Sequence, residues 1–152
     1  MTTVIPIVIV ALGDDDSYHL FINGEIDGKN CDLLIDTGAS HTIFDANMIP
    51  EISVNVNDVR KIESAGIQAG ELNSSFGRIK EFKLGELRRK NWTVVLIDLT
   101  HVNNLYMKFT DKRVAGLIGS DFLLKHNAII DYKRKELVLR NIRNREKRKF
   151  EK

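Results

Sequence analysis

Leu33-Leu34-Ile35-Asp36-Thr37-Gly38-Ala39-Ser40 is the stretch on which the fold turns. An apolar strand stops abruptly in an acid, a β-branched hydroxyl residue and a glycine. A strand followed by an ordinary turn accounts for the tripeptide alone, because Asp, Thr and Gly all favour turns. Such a tripeptide arises by chance in roughly a few per cent of chains of this length. The flanks narrow the choice. Three apolar residues precede Asp36, and Ile43-Phe44 resumes the apolar pattern almost at once. The stretch therefore reads as a carboxyl carried out of a core strand, with the Thr37 hydroxyl and the Gly38 N–H placed to partner it.

Outward from that stretch, most of the chain carries strand patterns. Val4 to Val10 is short and β-branched, His19 to Lys29 contains two glycine turn signals, and Cys31 to Ile35 follows as the next strand. Ile52 to Val56 alternates with period two. Ile79 to Gly85 and Trp92 to Ile97 bracket a charged turn at Glu86 to Lys90. Only Asp45 to Ile49 and Ser120 to His126 predict helix, the second with Ser120 as N-cap. Ala128 to Ile130 and Leu137 to Leu139 close the ordered part as a hairpin that Asp131 starts, and Trp92 and Tyr106 read as core anchors. These patterns predict one all-β domain over residues 1–140 and a basic tail over 141–152.

Composition bounds the function. The chain has 152 residues, 43% of them hydrophobic and 29% charged, enough for one core and a hydrated surface. The net charge is +2, but ten basic and three acidic residues from Lys133 onward leave residues 1–132 at 2 − 7 = −5. That balance gives no case for a membrane surface, and a tail in which only Phe150 could stack makes nucleic acid a poor partner. One cysteine, Cys31, excludes an intrachain disulfide framework and reads as a small packed side chain. His19, His41, His101 and His126 lack metal-ligand spacing, so no metal is expected. Gly38 to Thr42 imitates a nucleophile elbow without its closing glycine. Val4 to Leu12 is too short to span a bilayer and lacks a basic flank, which predicts a cytoplasmic protein.

Two segments together carry a resemblance. Leu34-Ile-Asp-Thr-Gly-Ala-Ser40 early in the chain and Ala115-Gly-Leu-Ile-Gly-Ser-Asp-Phe-Leu123 late in it resemble the retropepsin-like aspartic proteases, in particular their small bacterial members. Ala128-Ile-Ile-Asp-Tyr132 is similar to the strand that follows the family's short helix. The likeness covers roughly residues 18 to 140, the span of one domain. It implies an acid-protease barrel with one or two short helices, assembled as an obligate homodimer. By the same likeness Asp36 is the catalytic aspartate. Thr37 takes the place of the residue whose hydroxyl braces the partner's loop, and Gly38 that of the residue admitting close backbone approach. Ala39 matches the retroviral type, which implies a milder working acidity than where a hydroxyl residue follows. Leu117, Ile118 and Gly119 form the supporting loop, and Ala65, Gly66, Ile67 and Gln68 lie where the family places its substrate-covering flap.

Two carboxylates a few ångströms apart share one proton, so one can act as general base on water while the other polarises the scissile carbonyl. This chain has one Asp-Thr-Gly and no Asp-Ser-Gly; Asp131 is followed by Tyr132-Lys133. One chain therefore supplies half a site and two supply the whole. The expected activity is endoproteolysis of peptides or proteins with no cofactor. A non-catalytic dimerisation or peptide-binding module of the same fold is the second reading left open, since fold does not fix function.

Overall fold

The run that leads to Asp36 ends β4 (Lys29–Ile35), whose last three residues are all apolar because both faces of the strand are covered there. Leu33 and Ile35 enter one apolar cluster, while Leu34 between them enters another. The computed structural model describes residues 1–13, 17–53 and 75–141. In chain order the elements are β1 (Thr2–Pro6), β2 (Val8–Ala11), β3 (Tyr18–Ile26), β4, β5 (Ile43–Asp45), β6 (Ser75–Leu84), β7 (Leu87–Ile97), α1 (Thr100–Phe109), β8 (Val114–Ile118), α2 (Ser120–Lys125), β9 (Ile129–Asp131) and β10 (Glu136–Arg140). Strands β3-β4-β8-β5-β7-β6 follow one another, and a β6–β3 pairing at Glu25↔Lys83 and Ile26↔Phe82 closes them into a six-stranded barrel. β2 extends the sheet beside β3, and β1-β10-β9 form a separate three-stranded sheet. The expectation of a mainly β barrel with few helices holds.

The barrel interior is filled by Ile22, Leu33, Ile35, Phe44, Ile79, Phe82, Leu84 and Ile118, all nearly or fully buried. Phe44, Phe82, Trp92 and Phe122 add edge-to-face and stacked contacts with centroids 5.3 to 6.2 Å apart. Trp92 is only half-buried and carries the Arg89 guanidinium 4.3 Å from its ring centre, so it lines the core's margin. Cys31 is buried as expected, and burial pushes its thiol up to about 12, which leaves it unreactive at ordinary pH. The second cluster, Leu12, Phe21, Leu34, Leu99, Tyr106 and Val114, lies on the outer face of the sheet beneath α1.

Four expectations need correction. Val4 to Val10 is two strands in different sheets: Pro6, which has no N–H, ends β1, and Ile7 turns away to donate to the Lys135 carbonyl at 2.8 Å. Asp45 to Ile49 makes a single hydrogen-bonded turn after β5 rather than a helix, since Pro50 disfavours the helical conformation of the residue before it. The turn expected at Glu86 to Lys90 is confined to Gly85-Glu86. Arg88 to Lys90 continue β7 opposite Glu81 to Lys83, where surface ion pairs of 3.5 and 3.8 Å offset the charge. Ser120 is the first residue of α2 and not its cap, which is Gly119. The strand expected at Ile52 to Val56 lies outside the described residues from position 54 onward.

Helix α1 was not expected at all. It packs Val102 and Tyr106, with Leu99 at its N-cap, onto the outer cluster, but the buried Asn103 interrupts that stripe and Leu105, Met107 and Phe109 stay exposed. Hydrogen bonds dock it as well. The Asp45 carboxylate, 1% exposed, accepts the Leu99 N–H at 3.2 Å and the Asn103 amide at 3.4 Å. The same Asn103 closes a reciprocal pair with Val114, donating at 3.1 Å and accepting at 2.6 Å.

α2 ends at His126, which is 6% exposed and tilted over Phe122 at 4.5 Å. Its Nδ1 lies 3.0 Å from the Arg140 carbonyl, to which it donates, and Nε2 has no partner among the described residues. A second proton would therefore sit unpaired in the core. Burial, with Lys125 and Arg89 nearby, holds the imidazole below its ordinary value against the opposing hydrogen bond to Arg140. A histidine so depressed contributes its full share of stability above its unfolded value. That share shrinks as pH falls below it, because the unfolded chain then binds a proton the folded one refuses. The melting temperature of the wild type should thus fall more between pH 7.5 and pH 5 than that of His126→Gln, which keeps a donor but does not titrate. Equal slopes would show that His126 does not report on acid stability.

Candidate active site

β8 lies between β4 and β5, parallel to the first and antiparallel to the second. The connection from β4 to β5, residues 36–42, must therefore arch over the carboxyl end of β8. Asp36 N–H donates to the Ile118 carbonyl at 3.0 Å and extends the parallel ladder one step past Ile35↔Ile118. The chain then turns sharply, with Ala39 N–H on the Asp36 carbonyl at 3.2 Å and Gly38 N–H on the Asp36 carboxylate at 3.1 Å.

The loop is bolted to the start of α2. Ser120 N–H and Asp121 N–H donate to the carbonyls of Ala39 and Ser40 at 2.8 and 3.3 Å, and the Ser120 hydroxyl donates to the Thr37 carbonyl at 2.9 Å. Two glycines admit this approach. A Cβ on Gly119 would stand 2.7 Å from the His41 carbonyl carbon, and one on Gly116 would stand 2.7 Å from the Phe44 ring. Those are contacts with backbone and with a packed ring, so the apolar-apolar-Gly pattern of residues 117–119 follows from the crossing itself.

Thr42 and Asp121 complete the bolt, and neither was singled out from the sequence. The buried Thr42 hydroxyl accepts Gly119 N–H at 3.0 Å and donates to Asp121 Oδ1 at 2.7 Å. Thr42 N–H meets both carboxylate oxygens of Asp121 at 2.9 and 3.1 Å. The signal available was an acid at the second position of a predicted helix, which usually means no more than a favourable dipole contact. Thr42→Val keeps the shape but strands the Gly119 N–H and one carboxylate contact, costing about 1–3 kcal/mol. Denaturant melts should show that loss as a lower midpoint with an unchanged slope; a midpoint equal to wild type would show the bolt to be idle.

The predicted site residues now have places. Asp36, Thr37, Gly38 and Ala39 form the loop, Ile118 and Gly119 support it directly, and Leu117 packs beneath it against the outer cluster. Asp36 is half-exposed at the end of its core strand, and Thr37 and Gly38 are exposed. Gly38 N–H partners the carboxylate as expected, whereas the Thr37 hydroxyl is not among its partners in the lone chain. Ala65, Gly66, Ile67 and Gln68 lie outside the described residues. Among the described residues no three His, Cys, Asp or Glu side chains come together as metal ligands, and no helix is long and apolar enough to cross a membrane.

A half-open carboxylate on a rigid loop can exchange protons with water and still hold a fixed position, the first requirement of a general acid or base. Comparison with known proteins gives that geometry a context. A family model described as aspartyl protease matches residues 22–122, the stretch from β3 to α2. A retropepsin-like aspartic protease from Rickettsia conorii is similar at 17% identity and a TM-score of 0.43, with 91% of each chain covered. The retroviral protease-like domain of Ddi1 from Leishmania major is similar at 20% identity and a TM-score of 0.47, covering 82% of this chain and 90% of that one. No curated protein matches the chain.

Proposed function

The chain belongs to the aspartyl protease family, and from that premise we propose that it is an endopeptidase whose catalytic dyad is two copies of Asp36 brought together in a homodimer. The observation that carries this reading is the loop of residues 36–39, locked over the end of β8 with its single carboxylate half-open. One such carboxylate can accept a proton from water but has no second acid to polarise a carbonyl. A twofold partner supplies it. The exposed Thr37 and Gly38 are then free to meet their counterparts across the axis.

The three-stranded sheet supports the same assembly. Its edges are β1 and β9, each paired only with β10 among the described strands. Val4, Ile129 and Tyr132 on or beside those edges are 52%, 60% and 64% exposed, an apolar margin of the kind that pairing covers. Substrate would bind as an extended peptide, by strand-like main-chain pairing over the loop. The reaction adds water across the peptide bond. The ionised Asp36 takes the proton as the hydroxyl attacks, and the protonated partner first donates to the carbonyl oxygen. The collapse returns a proton to the leaving amine.

The test is cleavage of a mixed peptide library by purified wild type and Asp36→Asn, alongside sedimentation of both. Cleavage that disappears in a folded, dimeric Asp36→Asn supports the reading. Binding of peptides without cleavage by the wild type would favour the peptide-binding module instead.

A further inference from the structure

On the outer face of the sheet, beside the Asp36 loop, three side chains from separate elements form a hydrogen-bonded chain. The Tyr106 hydroxyl of α1 lies 2.8 Å from His19 Nδ1 on β3, and His19 Nε2 lies 2.9 Å from the Ser17 hydroxyl. Tyr106 is 3% exposed and packs edge-on against both His19 and Phe21, with centroids 5.5 and 5.2 Å away. The β3–β4 ladder pairs Phe21 with Leu34 and Leu20 with Ile35, so the next step sets His19 opposite Asp36. Alternation fixes the face. Leu20 and Ile35 point into the barrel, whereas Phe21 and Leu34 point to the cluster under α1. His19 and Asp36, two residues on from that pair, return to the α1 side.

We infer that His19 and Tyr106 are positioning residues of the Asp36 site: the phenol donates to His19 Nδ1, His19 Nε2–H donates to Ser17, and the fixed ring forms the β3-side wall that holds the Asp36 carboxylate and a bound peptide strand in register. The inference rests on the protease reading for its catalytic consequence, but not for the juxtaposition. Burial first, and then the Asp36 carboxylate, push the Tyr106 phenol above its ordinary value, as the proximity requires. The His19 ring serves through one accepted and one donated hydrogen bond, and so a glutamine could replace it.

The experiment uses the full chain with Tyr106→Phe, His19→Gln and His19→Leu, reading kcat, KM and melting temperature on one peptide from the library. Tyr106→Phe and His19→Leu should lower kcat/KM about tenfold, the scale of one lost hydrogen bond at a positioned group. His19→Gln should recover most of it, because its amide accepts from Tyr106 and donates to Ser17. Wild-type kcat/KM in Tyr106→Phe and His19→Leu would overturn the positioning role. So would a His19→Gln as impaired as His19→Leu, since the two hydrogen bonds would then not be what the ring supplies. A second arm needs no activity: tyrosine labelled at Cζ with carbon-13 follows the Tyr106 titration in wild type and in Asp36→Asn. The midpoint should fall toward the ordinary phenol value when the carboxylate is removed; an unmoved midpoint would overturn the juxtaposition itself. A wild type that cleaves nothing while Tyr106 still responds to Asp36→Asn would sink the protease reading and the catalytic role resting on it, while leaving the placement standing.

Discussion

Asp36→Asn is expected to reduce peptide cleavage by roughly a thousandfold or more, the scale of losing a positioned general base, while leaving the fold and the sedimentation profile unchanged. Retention of the fold follows from the loop's own contacts. Asn presents a carbonyl oxygen where Asp36 accepts Gly38 N–H at 3.1 Å, and the backbone bonds to Ile118 and Ala39 do not involve the side chain. Asp36 is half-exposed, so its replacement neither strands a buried partner nor opens a cavity. What Asn cannot do is take a proton from water or share one with a second carboxyl. Circular dichroism, sedimentation and turnover on one sample would separate these effects. A folded Asp36→Asn dimer that cleaves at the wild-type rate removes Asp36 from the mechanism.

The sequence displayed the parts of this molecule that two-residue periodicity and turn chemistry write into neighbouring positions. The run Leu33 to Ile35 and the break at Asp36-Thr37-Gly38 are legible as a core strand that stops in a turn, whereas the supporting role of residues 117–119 came only through the resemblance. What escaped was long-range and polar. Thr42 and Asp121 lie far apart in the chain, and only the crossing of the 36–42 loop over β8 makes a hydroxyl and an acid into a bolt. Helix α1 escaped because its inward stripe of Leu99, Val102 and Tyr106 is interrupted by the buried Asn103, while the exposed Leu105, Met107 and Phe109 blur the contrast between its faces. Pro6 ends β1 where hydrophobicity alone would continue the strand, and Pro50 keeps Ile49 out of the helical conformation that a longer helix would need.

The second large effect concerns assembly. Activity per chain should rise with protein concentration, reach half its ceiling near the dimer dissociation constant, and then level off. The argument is one of counting: each chain has one Asp-Thr-Gly. In the lone chain Asp36 is half-exposed, and Thr37 and Gly38 beside it are exposed. An active-site inhibitor mimicking an extended peptide should bind one molecule per two chains and draw monomers into dimers by mass action. Mixing supplies the sharper test. With nine parts of Asp36→Asn to one of wild type, random pairing leaves only about one wild-type chain in ten facing another, and activity per wild-type chain should fall about tenfold. Dilution alone cannot produce that fall, because the total chain concentration, and hence the dimer fraction, is held constant. A monomeric enzyme would be indifferent to the mixture. Activity proportional to wild-type chain alone, in a sample that light scattering shows to be fully exchanged dimers, would mean that one Asp36 suffices.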